Sequence, residues 1–252
     1  MNGPRTLPVI PPEIVVIDQD EACPYLEGKI ARRPMRLPTR RLRPGELDQR
    51  LEAGDRRAGP LFYSQACPAC RACEPLRIDT AAFEATRAQR RAWSRGQRAL
   101  SMSLGPLVVD EARVSLFDRH QSLRGLKRPS RDGIERALSA EEYHAFLVER
   151  AVESFEVRYF LGDRLVGVAI TDRGAEAWSA VYTYYEPELP APHRSLSVGT
   201  FSILAQLELA RRAGVRWLYL GLAIEDNGHM RYKLEYLPHE RRIDGAWRAF
   251  AR

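Results

Sequence analysis

The sequence predicts an α/β protein, with a mixed sheet in its C-terminal half and a smaller α+β, cysteine-containing domain before it. Three observations carry this. From about residue 155 onward the hydrophobic pattern runs strand, strand, strand, helix, strand, helix, an order that asks for both antiparallel and parallel neighbours. All four cysteines, Cys23, Cys67, Cys70 and Cys73, lie in the first third of the chain. Gly105-Pro106 then interrupts the pattern, which places a boundary there and divides the chain into residues 1–105 and 106–252.

Taken in order, residues 1–20 hold four prolines and read as a loose leader. Gly45 to Leu51 reads as a short helix ending near Gly54. Leu61-Phe62-Tyr63 and Leu76-Arg77-Ile78 read as short strands on either side of the cysteine turn. Thr86 is an N-cap residue for a basic helix through about Leu100. Beyond the break, Glu111 to Leu123 and Ala140 to Arg150 have helical period, and Ser139 with Glu142 makes a capping box. Phe155 to Leu161, Leu165 to Thr171 and Trp178 to Tyr184 are rich in β-branched and aromatic residues, and their short separations make them antiparallel neighbours. Val198 to Ala213 is an amphipathic helix stopped by Gly214. Trp217 to Leu220 is a short, apolar, buried strand, and Gly228 to Glu235 a short helix.

At 44% hydrophobic and 29% charged residues, the composition is globular and excludes wholesale disorder. No window approaches 18 uninterrupted apolar residues, and the N-terminus has no apolar leader. Both facts argue against a membrane span and a secretory signal, and so for a cytoplasmic protein. Lys+Arg outnumber Asp+Glu by 39 to 33, and only three of the 39 are lysines, leaving 36 arginines. The stretches Lys29 to Arg43 and Arg87 to Arg98 contain no acid. Arginine offers a planar fork to phosphate oxygens, so the pattern predicts an RNA-binding N-terminal half, with Arg87, Arg90, Arg91 and Arg95 as contacts. Codon use in a GC-rich genome explains the arginine excess itself equally well. The absence of a Walker loop, a G-x-G-x-x-G and a G-x-S-x-G excludes P-loop NTPases, Rossmann dehydrogenases and typical α/β-hydrolases.

Three places are suited to chemistry. The Cys67-x2-Cys70-x2-Cys73 spacing suits thiolates converging on zinc or an iron–sulfur cluster, with Cys23 as a fourth ligand; small buried residues around a tight turn are the alternative. Ser197-Val198-Gly199-Thr200 opens a helix behind a strand and a Pro-rich loop. It gathers unpaired N–H groups and hydroxyls for an anion, or is an ordinary N-cap. The Trp217 strand delivers a loop with Glu225 and Asp226, followed by Tyr232 and Lys233, which is either a site at a strand end or a solvated acidic loop with a surface lysine. The five histidines are scattered and read as structural or surface residues.

An ordered set of motifs runs through these places: Cys23-Pro24-Tyr25-Leu26, Phe62-Tyr63, the cysteine run with Pro75 and Arg77, and Gln89-Arg90-Arg91. Ser197-Val198-Gly199-Thr200, Gln206-Leu207-Glu208, Tyr219-Leu220-Gly221 and Met230-x-Tyr232-Lys233 complete it. In this order the motifs resemble the aminoacyl-tRNA–protein transferases, and among them the bacterial aspartate/glutamate leucyltransferase branch. Arg119 to Gly133 is a looser match to a family Arg-His…Asp-Gly stretch. The resemblance implies a GNAT-like C-terminal domain. It also implies transfer of an amino acid, leucine above all, from aminoacyl-tRNA to protein N-termini beginning with Asp or Glu, making a degradation signal. Arginyl-tRNA as donor, a GNAT-type acyl-CoA N-acyltransferase and a non-catalytic tRNA- or metal-binding module are the alternatives. An aminoacyl ester is already activated, and the attacking α-amine has a reference pKa of about 7.7–8.0, so no strong base and no cofactor are required. Tyr182 and Tyr184 are then expected to act on the developing oxyanion, and Glu225 or Asp226 to take the amine proton. Tyr232, Lys233, Ser197, Gly199, Thr200 and Arg77 are expected to bind the substrates, with Lys233 holding the acceptor carboxylate.

Overall fold

The structure is a computed structural model that describes residues 5–126 and 137–251; Lys127 and the end of the Arg119–Gly133 stretch lie outside it. In chain order, strands β1 (Thr6–Leu7), β2 (Glu13–Ile17), β3 (Asp20–Ala22), β4 (Ile30–Arg32) and β5 (Met35–Pro38) precede helix α1 (Pro44–Glu52). Strands β6 (Arg56–Ala58), β7 (Leu61–Tyr63) and β8 (Glu74–Asp79) follow, then helix α2 (Arg87–Ala99) and β9 (Ser101–Gly105). Next come α3 (Glu111–Leu123), α4 (Ala140–Tyr143), β10 (Ser154–Leu161), β11 (Arg164–Arg173) and β12 (Ala177–Tyr185). Helix α5 (Val198–Arg212), β13 (Trp217–Ala223), β14 (His239–Ile243) and β15 (Ala246–Phe250) complete the described chain.

The mixed α/β class expected from the sequence is present. An eight-stranded sheet runs β15-β14-β8-β13-β12-β11-β10-β9. Strands β10, β11 and β12 are antiparallel neighbours as their spacing predicts, whereas β12 and β13 are parallel and joined through α5. Both faces are covered. Trp93 of α2 and Phe201, Leu204 and Leu207 of α5 pack with Val157, Ala169 and Leu218 on one face. Leu116 and Phe117 of α3, Tyr143 and Leu147 pack with Val168, Ile170 and Tyr184 on the other.

Three expectations need correction. The division at residue 105 does not coincide with a break in the sheet. Strand β8 lies between β13 and β14, and Gly105 ends an edge strand that pairs along β10. Residues 5–20 are no loose leader either: β1 pairs with β2 and β2 with β5, because Ile14-Val15-Val16-Ile17 is a β-branched run that outweighs the flanking prolines. Finally, α4 is a single turn that passes into a π-turn over His144–Val148, and the Gly228–Glu235 helix is a 3-10 turn over Arg231–Glu235.

Ion pairs tie the smaller sheet, β1-β2-β5-β7-β6, to the larger one. Arg57 of β6 donates two hydrogen bonds to the buried Asp172 carboxylate of β11, at 2.6 and 2.8 Å. Asp48 of α1 accepts the N–H groups of Ala175, Glu176 and Ala177 at 3.1, 2.9 and 3.1 Å, closing the turn before β12. The Lys29–Arg43 run is largely consumed by such contacts. Arg32 pairs with Asp18, Arg33 with Glu21, Arg40 with Glu46, and the buried Arg36 with Glu13 and Asp55. It is therefore scaffold more than a free basic surface.

Candidate active site and basic face

Strands β12 and β13 pair over three residues only, Ala177–Ser179 against Trp217–Tyr219. Beyond that β12 continues to Tyr185 and β13 to Ala223 without pairing to each other, so the sheet opens where α5 begins. Crevices at such strand ends are where α/β sheets bind ligands. Tyr185, the last residue of β12, lies across the first turn of α5: a Cβ at Gly199 would meet its ring at 3.0 Å and its hydroxyl at 3.2 Å. Only glycine fits there without moving the ring. Thr200 lies beside the Tyr236 hydroxyl, and the Tyr236 ring stands 6.5 Å from that of Tyr232. Gly199 and Thr200 thus join an aromatic, hydroxyl-bearing wall, while Ser197 is exposed and its side chain makes no cap bond.

Tyr182 lies on the part of β12 that β13 does not pair with, and Tyr232 on the turn after β13. Tyr182 accepts a hydrogen bond from Gln121, and its hydroxyl is raised above the ordinary tyrosine value by burial. Tyr232 is 41% exposed, and desolvation beside Tyr185 pushes its hydroxyl up to about 12. Both stay protonated at neutral pH and can donate. Tyr184 does not belong with them. It is fully buried, 2.6 Å from the Tyr143 hydroxyl and edge-on to Phe117, because α3 covers this face of β12.

Arg77 is likewise a packing residue. It lies between the rings of Trp217 and Trp247, at 4.0 and 4.1 Å from their centroids, and bonds to Glu240, Glu52 and Tyr219. Glu225 and Asp226 are exposed, and among the described residues neither carboxylate makes an ion pair. Their loop is tied to the N-terminal segment by Asn227 Nδ2, which donates to the Tyr25 carbonyl at 2.8 Å. Among the described residues no hydrogen bond or ion pair joins either acid to the tyrosines.

Lys233 is 8% exposed and turned inward, so it is neither a surface lysine nor free to hold the acceptor carboxylate as expected. Opposite Leu222 on β8 stands Pro75, which has no N–H to offer. The Leu222 carbonyl accepts from Lys233 Nζ at 2.8 Å instead, with Met230 Sδ at 3.4 Å. Burial, and then the neighbouring Arg56, push the ammonium down to about 7. An unfolded chain holds this proton to about pH 10.4. Between pH 7 and 10 the unfolded state therefore binds more protons, and native stability rises with pH across that window. Lys233→Met removes the contribution. Thermal melts should show its stability relative to wild type to be most favourable at pH 6–7. That advantage should shrink by a few kcal/mol, in order of magnitude, towards pH 10. A pH-independent difference would put Nζ in water.

The residues that sequence reasoning missed lie on the last turns of α3. The half-ring of His120, Gln121 and Arg124 faces the end of β12. His120 Nδ1 lies 2.9 Å from the Tyr185 carbonyl, and Arg124 Nη1 donates to the Tyr185 hydroxyl at 2.8 Å. Their spacing on one helix face was the available signal.

Helix α2 carries the free basic surface. Arg87, Arg91, Arg95 and Arg98 recur at near-helical spacing and are exposed, as is Arg90, and none forms an ion pair among the described residues. Thr86 and Gln89 cap the helix reciprocally, as expected of its start. The four cysteines line one cavity of about 450 Å³ with Tyr25, Leu26 and Arg71, so Cys23 does fold back beside the others. Burial, followed by the other three thiols, pushes Cys73 up to about 12. Among the described residues no group of three or more His, Cys, Asp or Glu side chains is arranged to hold a metal ion, and no step of the chemistry is assigned to one.

Comparison with known proteins places this geometry. The family described as "Arginine-tRNA-protein transferase, N terminus" matches residues 21–91, and "Arginine-tRNA-protein transferase, C terminus" matches residues 112–243. The aspartate/glutamate leucyltransferase of Aeromonas hydrophila is 37% identical over 198 residues, 79% of this chain and 79% of that one. That of Thiobacillus denitrificans is 34% identical over 227 residues, 90% of each chain. That of Acinetobacter baumannii is 32% identical over 230 residues, 91% of this chain and 82% of its own. With both segments matched, and with identity sustained across most of its length, the chain belongs to the arginine-tRNA–protein transferase family.

Proposed function

We propose that the protein transfers leucine from leucyl-tRNA to the N-terminal Asp or Glu of acceptor proteins. The observation that carries this is the sustained identity, 37% and 34%, to relatives named aspartate/glutamate leucyltransferase. The site geometry supports it. In the reaction the acceptor's α-amine nitrogen attacks the ester carbonyl carbon, the bond from that carbon to the tRNA ribose oxygen breaks, and the amine's proton ends on that oxygen. The hydroxyls of Tyr182 and Tyr232, both within the field of Arg124, are protonated donors suited to the charge that develops on the carbonyl oxygen. With an activated ester and an α-amine of pKa about 7.7–8.0, positioning supplies most of the effect and neither Glu225 nor Asp226 is needed as a base.

The exposed arginines of α2 are the surface for the tRNA phosphates, and charged tRNA as donor supports a cytoplasmic location. Among the described residues no helix is long and apolar enough to cross a membrane. The four cysteines share a cavity but are not arranged as a metal site, so the metal-free state is the separate proposal for them, and zinc or iron found by elemental analysis of protein purified without oxygen overturns it.

The test is incubation of the purified protein with labelled leucyl-tRNA, arginyl-tRNA or acetyl-CoA and peptides of each N-terminal residue. The expected result is leucine on peptides beginning with Asp and Glu. Label arriving only from arginyl-tRNA, or only from acetyl-CoA, sinks the reading.

A further inference from the structure

Selecting Asp or Glu at a peptide's N-terminus requires a cation for that carboxylate. Lys233 cannot serve, because its ammonium is buried on the Leu222 carbonyl. Of the other arginines around the opening of α5, Arg194 is exposed on the turn that precedes the helix, and three more are bonded within the fold. Arg119 and Arg164 share the buried Glu186 at 3.2 and 2.7 Å, and Arg231 Nε donates to the Glu225 carbonyl at 2.6 Å.

Arg124 differs. It caps the C-terminal end of α3, where the helix dipole favours a cation even with no ligand present. Among the described residues it has no carboxylate partner, and its hydrogen bond goes to the Tyr185 hydroxyl. That leaves most of its five N–H donors for a ligand. The same hydroxyl lies against Gly199, so the guanidinium is fixed at the first turn of α5. Its charge is felt by Tyr182 and Tyr232, the two hydroxyls proposed above to act on the reacting carbonyl. Below it, His120 holds the backbone of Tyr185 and is kept neutral by burial, so it adds no competing charge.

We infer that Arg124 binds the side-chain carboxylate of the acceptor's first residue and so determines the preference for Asp and Glu. Tyr185 holds the guanidinium in place, and a planar fork tolerates the one-methylene difference between the two acids. The inference rests on the acceptor specificity proposed above.

The experiment compares wild type, Arg124→Gln and Arg124→Lys in leucine transfer to four peptides that begin with Asp, Asn, Glu or Gln and are otherwise identical. In Arg124→Gln, kcat/KM for the acidic peptides should fall about tenfold or more, chiefly through KM, while the amide peptides change little and the acid-over-amide ratio collapses. Arg124→Lys should give an intermediate ratio, and it carries the test alone if the glutamine variant does not fold. A wild-type ratio in either folded variant, or an equal loss on all four peptides, overturns the role of Arg124. A wild-type protein that moves leucine to none of the four sinks the functional reading itself, and this inference with it.

Discussion

Replacing Arg87, Arg91, Arg95 and Arg98 together by glutamine should weaken tRNA binding by about 100- to 1,000-fold near 0.1 M salt and flatten its salt dependence. The magnitude follows from counterion release: each neutralised phosphate contributes roughly 0.7–0.9 to the slope of log K against log salt, so four lost contacts remove a slope of about 3. The stability of the protein should barely change, because these side chains are exposed and without ion-pair partners among the described residues. That separates α2 from the other acid-free run. Arg36, buried between Glu13 and Asp55, would leave Asp55 without its ion-pair partner and Glu13 with Arg50 alone if it were truncated, and there a marked loss of stability is the expected outcome. Filter binding or fluorescence anisotropy across a salt series, with melting curves beside it, makes the measurement. An unchanged slope would move the tRNA contact off α2 and leave its arginines as a solvated face.

The two arginine runs look alike in sequence, and only long-range pairing tells them apart. Asp18, Glu21, Glu13 and Asp55, which pair with the first run, come from neighbouring strands and the turns beside them, whose placement no local pattern reveals. The same limit hid the place of β8. Leu76-Arg77-Ile78 is legible as a strand, but its insertion between β13 and β14 depends on partners more than 130 residues away, such as Tyr219 opposite Arg77 and Leu218 opposite Ile78. The elements of the second half were legible because they are long and periodic.

Among the site residues, the motif residues Gly199, Thr200 and Tyr232 reach the opening of α5, whereas alternation along β12 is ambiguous because both faces of the sheet are covered. Tyr182 and Tyr184 share a face, yet only Tyr182 lies near the edge of the α3 cover. Rarity misled at Lys233: a lysine that is scarce in the chain proved to be a buried partner for one orphan carbonyl, while the cation beside the tyrosines is one arginine among many.

Gly96→Leu should lower the stability of the native state by about 3 kcal/mol or more, and weaken tRNA binding as a consequence. On the helix scale alone the change looks favourable, since leucine is better than glycine by somewhat under 1 kcal/mol in a helix interior. Packing decides the sign against it. A Cβ at position 96 would lie 2.2 Å from Phe201 Cδ2 and 2.6 Å from Cγ and Cε2, so the ring rests directly on the glycine. Phe201 cannot swing aside. It is 1% exposed, stacked on Trp93 at 5.0 Å and edge-on to Tyr159 at 5.8 Å, and Tyr159 is itself held by the Ser202 hydroxyl at 3.0 Å. The helix that carries the basic face is therefore docked through a glycine that lets α2 come close to Phe201 of α5. Gly96→Ala should show the same sign with a smaller loss, about 1–3 kcal/mol less the gain in helix propensity. Thermal or urea unfolding of both variants provides the check, and a melting temperature at or above that of wild type would mean that α2 does not seat on Phe201.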